Sequence, residues 1–204
     1  MMYKFIFENL KWLETPDGIY LYETCPHINI DLYVNNKNVI SIERASAIIS
    51  IIKLLKTCLE NNIPTTEDKE NTAIFFSGSS RLFTFSSEYS YSYKITHIEN
   101  NFVRIEDFSD FIFKWDNNKQ IHYDLVVLSE DKVEISLKEY INQILPFAKE
   151  LLKFCRDSEL KYQDNFNKGK KENWLDMDLY LEKIPELENL INTVENKLSL
   201  LIDC

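Results

Sequence analysis

Apolar and polar residues alternate at every second position along much of this chain, the spacing of a strand with one buried face. The alternation predicts strands over Met2–Phe7 and Gly18–Glu23, with Thr15-Pro16-Asp17-Gly18 as the turn between them. His27–Val34 follows, with Ile28, Ile30 and Leu32 on one face, and Asn35-Asn36-Lys37-Asn38 turns the chain into Val39 and Ile40. In the middle of the chain, Ala73–Ser77 and Leu82–Ser86 flank Gly78-Ser79-Ser80. Tyr89, Tyr91, Tyr93 and Ile95 then alternate with Ser90, Ser92 and Lys94. Asn100-Asn101 predicts a hairpin turn into Phe102–Glu106. Phe111, Phe113 and Trp115 form a further strand, joined through Asp116-Asn117-Asn118-Lys119 to Ile121–Leu128. Short strands linked by turns predict an antiparallel meander rather than βαβ units.

Three stretches switch to helical spacing. Between Ile42 and Asn61, Ala45, Ile48, Ile49, Ile52, Leu55 and Leu59 recur at the helical period, and Ile51, Leu54 and Cys58 widen the stripe. A helix of this kind is covered on more than one side. Asn61-Asn62 and Pro64 end it, and a polar loop fills Pro64 to Thr72. The second helix opens with Ser136-Leu137-Lys138-Glu139, a capping box. Its apolar face runs from Leu137 through Ile141, Ile144, Ala148 and Leu151 to Cys155, and Pro146 is expected to kink or split it. The last helix starts near Pro185, and Leu187, Ile191, Val194, Leu198 and Leu201 form a short heptad seam. Between these two helices the residues 157–172 carry four acids, four lysines and Gly169. The expected fold is therefore α+β: an antiparallel meander sheet packed on two long helices, with a C-terminal helical appendage. Residues 1–157 form the core domain, 158–172 a polar linker or loop, and 173–204 the helical tail.

Composition narrows the function classes. Only three glycines occur, Gly18, Gly78 and Gly169, and none lies close to another. Phosphate-cradling loops need clustered glycines so that backbone N–H groups can approach the ligand. Thirty-three acidic against 23 basic residues give a net charge of −10. That balance disfavours nucleic acid and anionic membrane as partners, and it steers a basic protein inward. The four cysteines, Cys25, Cys58, Cys155 and Cys204, are far apart, which suits a reducing, cytoplasmic setting. The opening residues read as a strand rather than a signal peptide, and Ala45 to Leu59 is too short and too polar to span a bilayer.

No catalytic or cofactor design emerges from the residues. His27, His97 and His122 are well separated, and Cys25-Pro26-His27 has no second ligand pair to complete a metal site. Ser77, Ser79 and Ser80 around Gly78 lack the flanking glycines of a nucleophile elbow. No metal, cofactor or catalytic residue is expected. The acids Glu106, Asp107, Asp110 and Asp116 cluster in sequence, and with Asp124 and Glu130 they form a candidate acidic face for a protein partner. The tyrosines at 89, 91 and 93 read first as half-buried sheet packing, and as binding anchors only if exposed.

Three features together carry a resemblance. They are the opening Tyr3-Lys4-Phe5-Ile6-Phe7-Glu8-Asn9-Leu10-Lys11-Trp12, the early strand pair followed by one long apolar helix, and the helix entry Ile135-Ser136-Leu137-Lys138-Glu139-Tyr140. Over roughly Met1 to Asp157 the chain resembles the cytosolic immunity proteins of bacterial polymorphic-toxin and contact-dependent inhibition systems. The resemblance implies a non-catalytic protein that sequesters a basic toxin domain, and it carries over no site residues. Two alternatives stand beside it: a scaffolding protein that dimerises through residues 185–202, and an unrecognised hydrolase.

Overall fold

A computed structural model describes residues 2–12, 26–62, 74–77, 89–115, 121–167 and 182–201. Its strands are β1 (Tyr3–Trp12), β2 (Pro26–Val34), β3 (Lys37–Ser46), β4 (Phe75–Ser77), β5 (Tyr89–Ile98), β6 (Phe102–Trp115), β7 (Ile121–Ser129) and β8 (Val133–Ser136). Helix α1 (Ala47–Thr57) lies between β3 and β4, and α2 (Leu137–Asn167) and α3 (Lys183–Leu200) close the chain. The strands form one antiparallel sheet in sequential order from β1 to β7, with β8 also paired to β6. The fold is the expected α+β meander packed on helices. Among the described residues, the β1-β2-β3 half and the β4-to-β7 half are joined in the ladder by one residue pair, Ala45 with Ser77. The expected elements at Gly18–Glu23, Pro64–Thr72, Leu82–Ser86 and Asp116–Lys119 lie outside the described residues.

Asparagine does the work that glycine does elsewhere. Seven described residues have left-handed φ, and five of them are Asn9, Asn35, Asn36, Asn100 and Asn101. Asparagine tolerates this region because its short side chain bonds locally. Asn35 and Asn36, at φ 51° and 66°, make the two-residue turn that joins β2 to β3. Asn9 sits where β1 gains a residue against β2, and Arg44 sits where β3 does the same. Bulges of this kind add twist and bend a strand.

Three expectations need correction. The first helix begins at Ala47, not near Ile42, because β3 continues to Ser46. Ile40, Ile42 and Ala45 are buried through pairing with β2, and only cross-strand register distinguishes them from a helical stripe. Phe102–Glu106 and Phe111–Trp115, expected as two strands, are one strand, β6, because Asp107, at φ 57°, absorbs a bulge between them. Finally, α2 runs through Pro146 as one element and continues to Asn167, so the expected linker at 158–172 starts as helix. The serine half of the capping box is present, with the Glu139 amide donating to Ser136 Oγ at 3.1 Å.

Helix α3 belongs to the same core as the rest. Ile184, Leu187, Ile191 and Val194 are buried in one cluster with α1, α2 and the sheet, and Leu198 and Leu201 pack against it. Lys56 reaches Glu186 at 2.9 Å, Arg156 reaches Glu188 at 2.7 Å, and Lys149 pairs with Glu195. The heptad seam therefore faces α1 and α2, which explains why α1 is buried nearly all round. Among the described residues, no helix is long and apolar enough to cross a membrane.

Candidate functional site

The β1 edge of the sheet is closed by α2. Gln143 donates from Nε2 to the Tyr3 carbonyl at 2.8 Å and accepts from the Phe5 amide at 2.9 Å. Its amide thus stands where a neighbouring strand would bond. Farther along, Phe7 stacks on Phe147 with centroids 4.7 Å apart, and Trp12 Nε1 donates to Ser158 Oγ at 2.9 Å. Gln143, Phe147, Phe154 and Ser158 share one face of α2 at helical spacing, so one helix covers the whole edge. A cleft of about 590 Å³ opens beside Gln143, between the start of β1 and the first turn of α2. Among the described residues, Lys4, Ser136, Lys138, Glu139 and Asn142 line it, and no histidine or cysteine does.

The opposite edge differs. β7 is the last strand of the sheet order, and it presents Leu125, Val126 and Val127 at 39%, 39% and 59% exposure. Successive side chains of a strand point to opposite faces, so both faces of β7 keep partly exposed apolar side chains here. Asp124, at the near end, is also exposed. At the far end, Phe108 pairs with Ser129, which sets Asp107 next to Glu130 and Asp131. Asp107 is exposed at 63% of its side chain and lies 3.8 Å from Lys94. Asp131 accepts from Ser129 Oγ at 2.6 Å, and Glu130 is exposed.

The candidate acidic residues therefore separate. Asp107 and Asp124 are on the surface. Glu106 and Asp110 are buried, at 6% and 8% exposure, and Asp116 lies outside the described residues. Glu106 is held between Lys94 at 2.8 Å and Lys132 at 3.1 Å. Hydrogen bonds from these two lysines keep its carboxyl below the usual carboxylate range. Its charge is answered within the chain. The acidic surface is re-formed instead by Asp107, Glu130 and Asp131, with Asp124 at the other end of β7.

Other singled-out residues serve the core. Tyr93 is fully buried beside Tyr140, whose hydroxyl it meets, and Tyr140 in turn meets Thr57 Oγ1 at 2.6 Å. Tyr91 is half-buried; Tyr89 pairs with Ser77 through the backbone, and its side chain lies outside the described residues. Cys58 and Cys155 are buried free thiols. Burial pushes the Cys155 thiol up to about 12 and raises Cys58 as well, which suppresses the nucleophilic thiolate at both. His27 is buried on β2, and the side chains of Cys25 and His122 lie outside the described residues. Among the described residues, no three His, Cys, Asp or Glu side chains gather as metal ligands.

His97 closes the end of α1, with Nε2 2.9 Å from the Thr57 carbonyl and its amide on Asn61 Oδ1 at 2.7 Å. Lys197 of α3 reaches the Leu59 carbonyl at 3.3 Å, so two basic side chains meet the negative end of this helix. Burial holds the His97 imidazole below its usual 6.5. The unfolded chain thus takes up a proton before the folded one as pH falls. This contribution to stability is present above pH 6.5 and is lost as pH drops through the lower folded value. The urea midpoint of the wild type is expected to fall between about pH 7.5 and about pH 5.5. His97→Gln should flatten that slope, and an unchanged slope in the variant would remove His97 as its source.

Comparison of the chain with protein-family models, with curated proteins and with solved structures finds no match. The class assigned by fold and site is an acidic α+β protein with one sheet edge closed by α2 and one that has no strand partner among the described residues.

The open edge left a trace in the sequence. Leu125-Val126-Val127-Leu128 puts four apolar residues in a row, a longer unbroken run than any other described strand contains. A continuous apolar run reads as a strand buried on both faces. Only the tertiary arrangement shows that this one is an exposed edge.

Proposed function

We propose that this protein acts by binding another protein, as an immunity-type inhibitor that neutralises a cognate bacterial toxin by direct contact. The observation that carries this reading is the exposed run Leu125-Val126-Val127 between acidic ends on an edge strand. Contiguous exposed apolar residues on a folded surface mark interaction sites, and their acidic surroundings select a basic partner. A net charge of −10 adds long-range steering toward such a partner. The alternative of self-association through residues 185–202 draws less support, because the seam positions pack on the chain's own core.

The test is titration calorimetry and stopped-flow association with the protein encoded by the adjacent gene. Tight binding with loss of that protein's toxicity is expected. Neutralising Asp107 and Glu130, as Asp107→Asn with Glu130→Gln, should slow association at low salt by roughly fivefold. Asp107→Asn keeps a residue type that tolerates the left-handed bulge. A neighbouring product that is neither bound nor neutralised would sink the immunity reading.

A further inference from the structure

We infer that β7 is a strand-addition site, which takes an extended, Lys- or Arg-flanked segment of a partner protein as a new strand on the sheet. The inference rests on the protein-binding reading above and assigns it a surface and a mode.

The two edges of the sheet are treated in opposite ways. An edge strand exposes alternate N–H and C=O groups, a template for any extended chain. On β1 that template is occupied by the Gln143 amide and overlaid by Phe147 and Phe154. The outer edge of β7 has no strand partner among the described residues. Its sequence, Ile121 to Ser129, contains no proline and no lysine, the residues that usually blunt an edge. Instead it offers Leu125 and Val127 on one face and Val126 on the other. An added strand would gain backbone hydrogen bonds along the edge and cross-strand apolar pairs on both faces.

Charge decides what the occupant is. From Ile121 to Asp131 the chain carries Asp124, Glu130 and Asp131 and no lysine or arginine. Asp107 lies across from this acidic end. Lys132, the next residue, is 3.1 Å from Glu106. A second copy pairing edge to edge would bring the same acids to the seam, between two chains each of net charge −10. A foreign segment with alternating apolar residues and flanking lysines or arginines meets the edge and the acidic end at Asp107, Glu130 and Asp131 without that repulsion.

The test is an NMR titration of the isotope-labelled full chain with a short synthetic peptide of alternating Val and Thr flanked by lysine pairs. Amide shifts confined to the Asp124–Leu128 region and its β6 neighbours are expected, with slowed hydrogen exchange along β7. Val127→Lys is expected to weaken peptide binding at least about tenfold. Because Val127 is 59% exposed, the variant should keep its thermal midpoint. A glutamate-flanked peptide should bind far more weakly. Shifts centred on the cleft beside Gln143, equal binding of both peptides, or no binding would each overturn the inference. So would concentration-dependent dimers with protected β7 amides, which would identify a second copy as the occupant. If the adjacent gene's product binds the Val127→Lys chain as tightly as wild type, the edge assignment falls and the protein-binding reading survives. If the lysine-flanked peptide binds at β7 while that product does not bind at all, the edge stands and the immunity reading falls.

Discussion

A chain ending at residue 172 is expected to lose cooperative thermal unfolding and to bind a hydrophobic dye at room temperature. Helix α3 contributes Ile184, Leu187, Ile191 and Val194 to the core, all at most 3% exposed. Burying an aliphatic side chain of this size is worth about 1.5–3 kcal/mol, so the helix contributes roughly 6–12 kcal/mol in apolar burial. A domain's whole net stability is about 5–15 kcal/mol. The truncation also uncovers the α1 face on which α3 lies, and leaves Lys56, Arg156 and Lys149 without Glu186, Glu188 and Glu195. These exposed ion pairs each add little. Differential scanning calorimetry of the truncated and full chains checks the outcome. A cooperative transition within a few degrees of wild type would make α3 an appendage after all. Leu187→Ala is a gentler version and should cost about 2–5 kcal/mol through the cavity it leaves.

Tyr140→Phe is expected to destabilise the protein by about 1–3 kcal/mol although it removes a single oxygen. Thr57 Oγ1 donates to the Leu54 carbonyl at 2.6 Å, so its one proton is committed there. Thr57 must then accept from Tyr140, at 2.6 Å, and Tyr140 must accept from Tyr93. One backbone carbonyl thereby sets the direction of a buried relay that ties α1, α2 and β5 together. Tyr140→Phe breaks the relay in the middle and leaves two buried hydroxyls without their partner. Tyr140→Ala adds a cavity and should cost about 3–5 kcal/mol. Urea denaturation of both variants separates the hydrogen-bond contribution from the packing contribution. If Tyr140→Phe falls within a few tenths of wild type, the relay holds nothing together. Burial raises the pKa of Tyr93 and Tyr140, so both hydroxyls stay protonated and able to donate.

Much of this arrangement can be read from the chain alone, for a local reason. Period-two and helical spacing report one-sided burial, so the α+β meander, the capped start of α2 and the apolar face of α3 are all legible in the sequence. The asparagines read as turn residues at 35–36 and 100–101 do carry left-handed backbone there. Periodicity could not say where β3 ends and α1 begins, because Ile42 and Ala45, three apart, fit the helical spacing and share a strand face only through the bulge at Arg44. Nor could it tell that Asp107 is a bulge within one strand.

The edges of the sheet were decided by tertiary structure. Gln143 gave no sign in the sequence of standing in for a strand, since its partners Tyr3 and Phe5 lie some 140 residues away. Glu106 and Asp107 are adjacent in sequence, yet one is buried between two lysines and the other is exposed. A run such as Leu125-Val126-Val127 has the same composition whether it lies in a core or on an open edge. By itself the sequence determined which residues are apolar, where they repeat and what net charge surrounds them. Which apolar run stays uncovered depends on which elements pack beside it, and that long-range property was settled only when α2 closed β1 and left β7 at the rim.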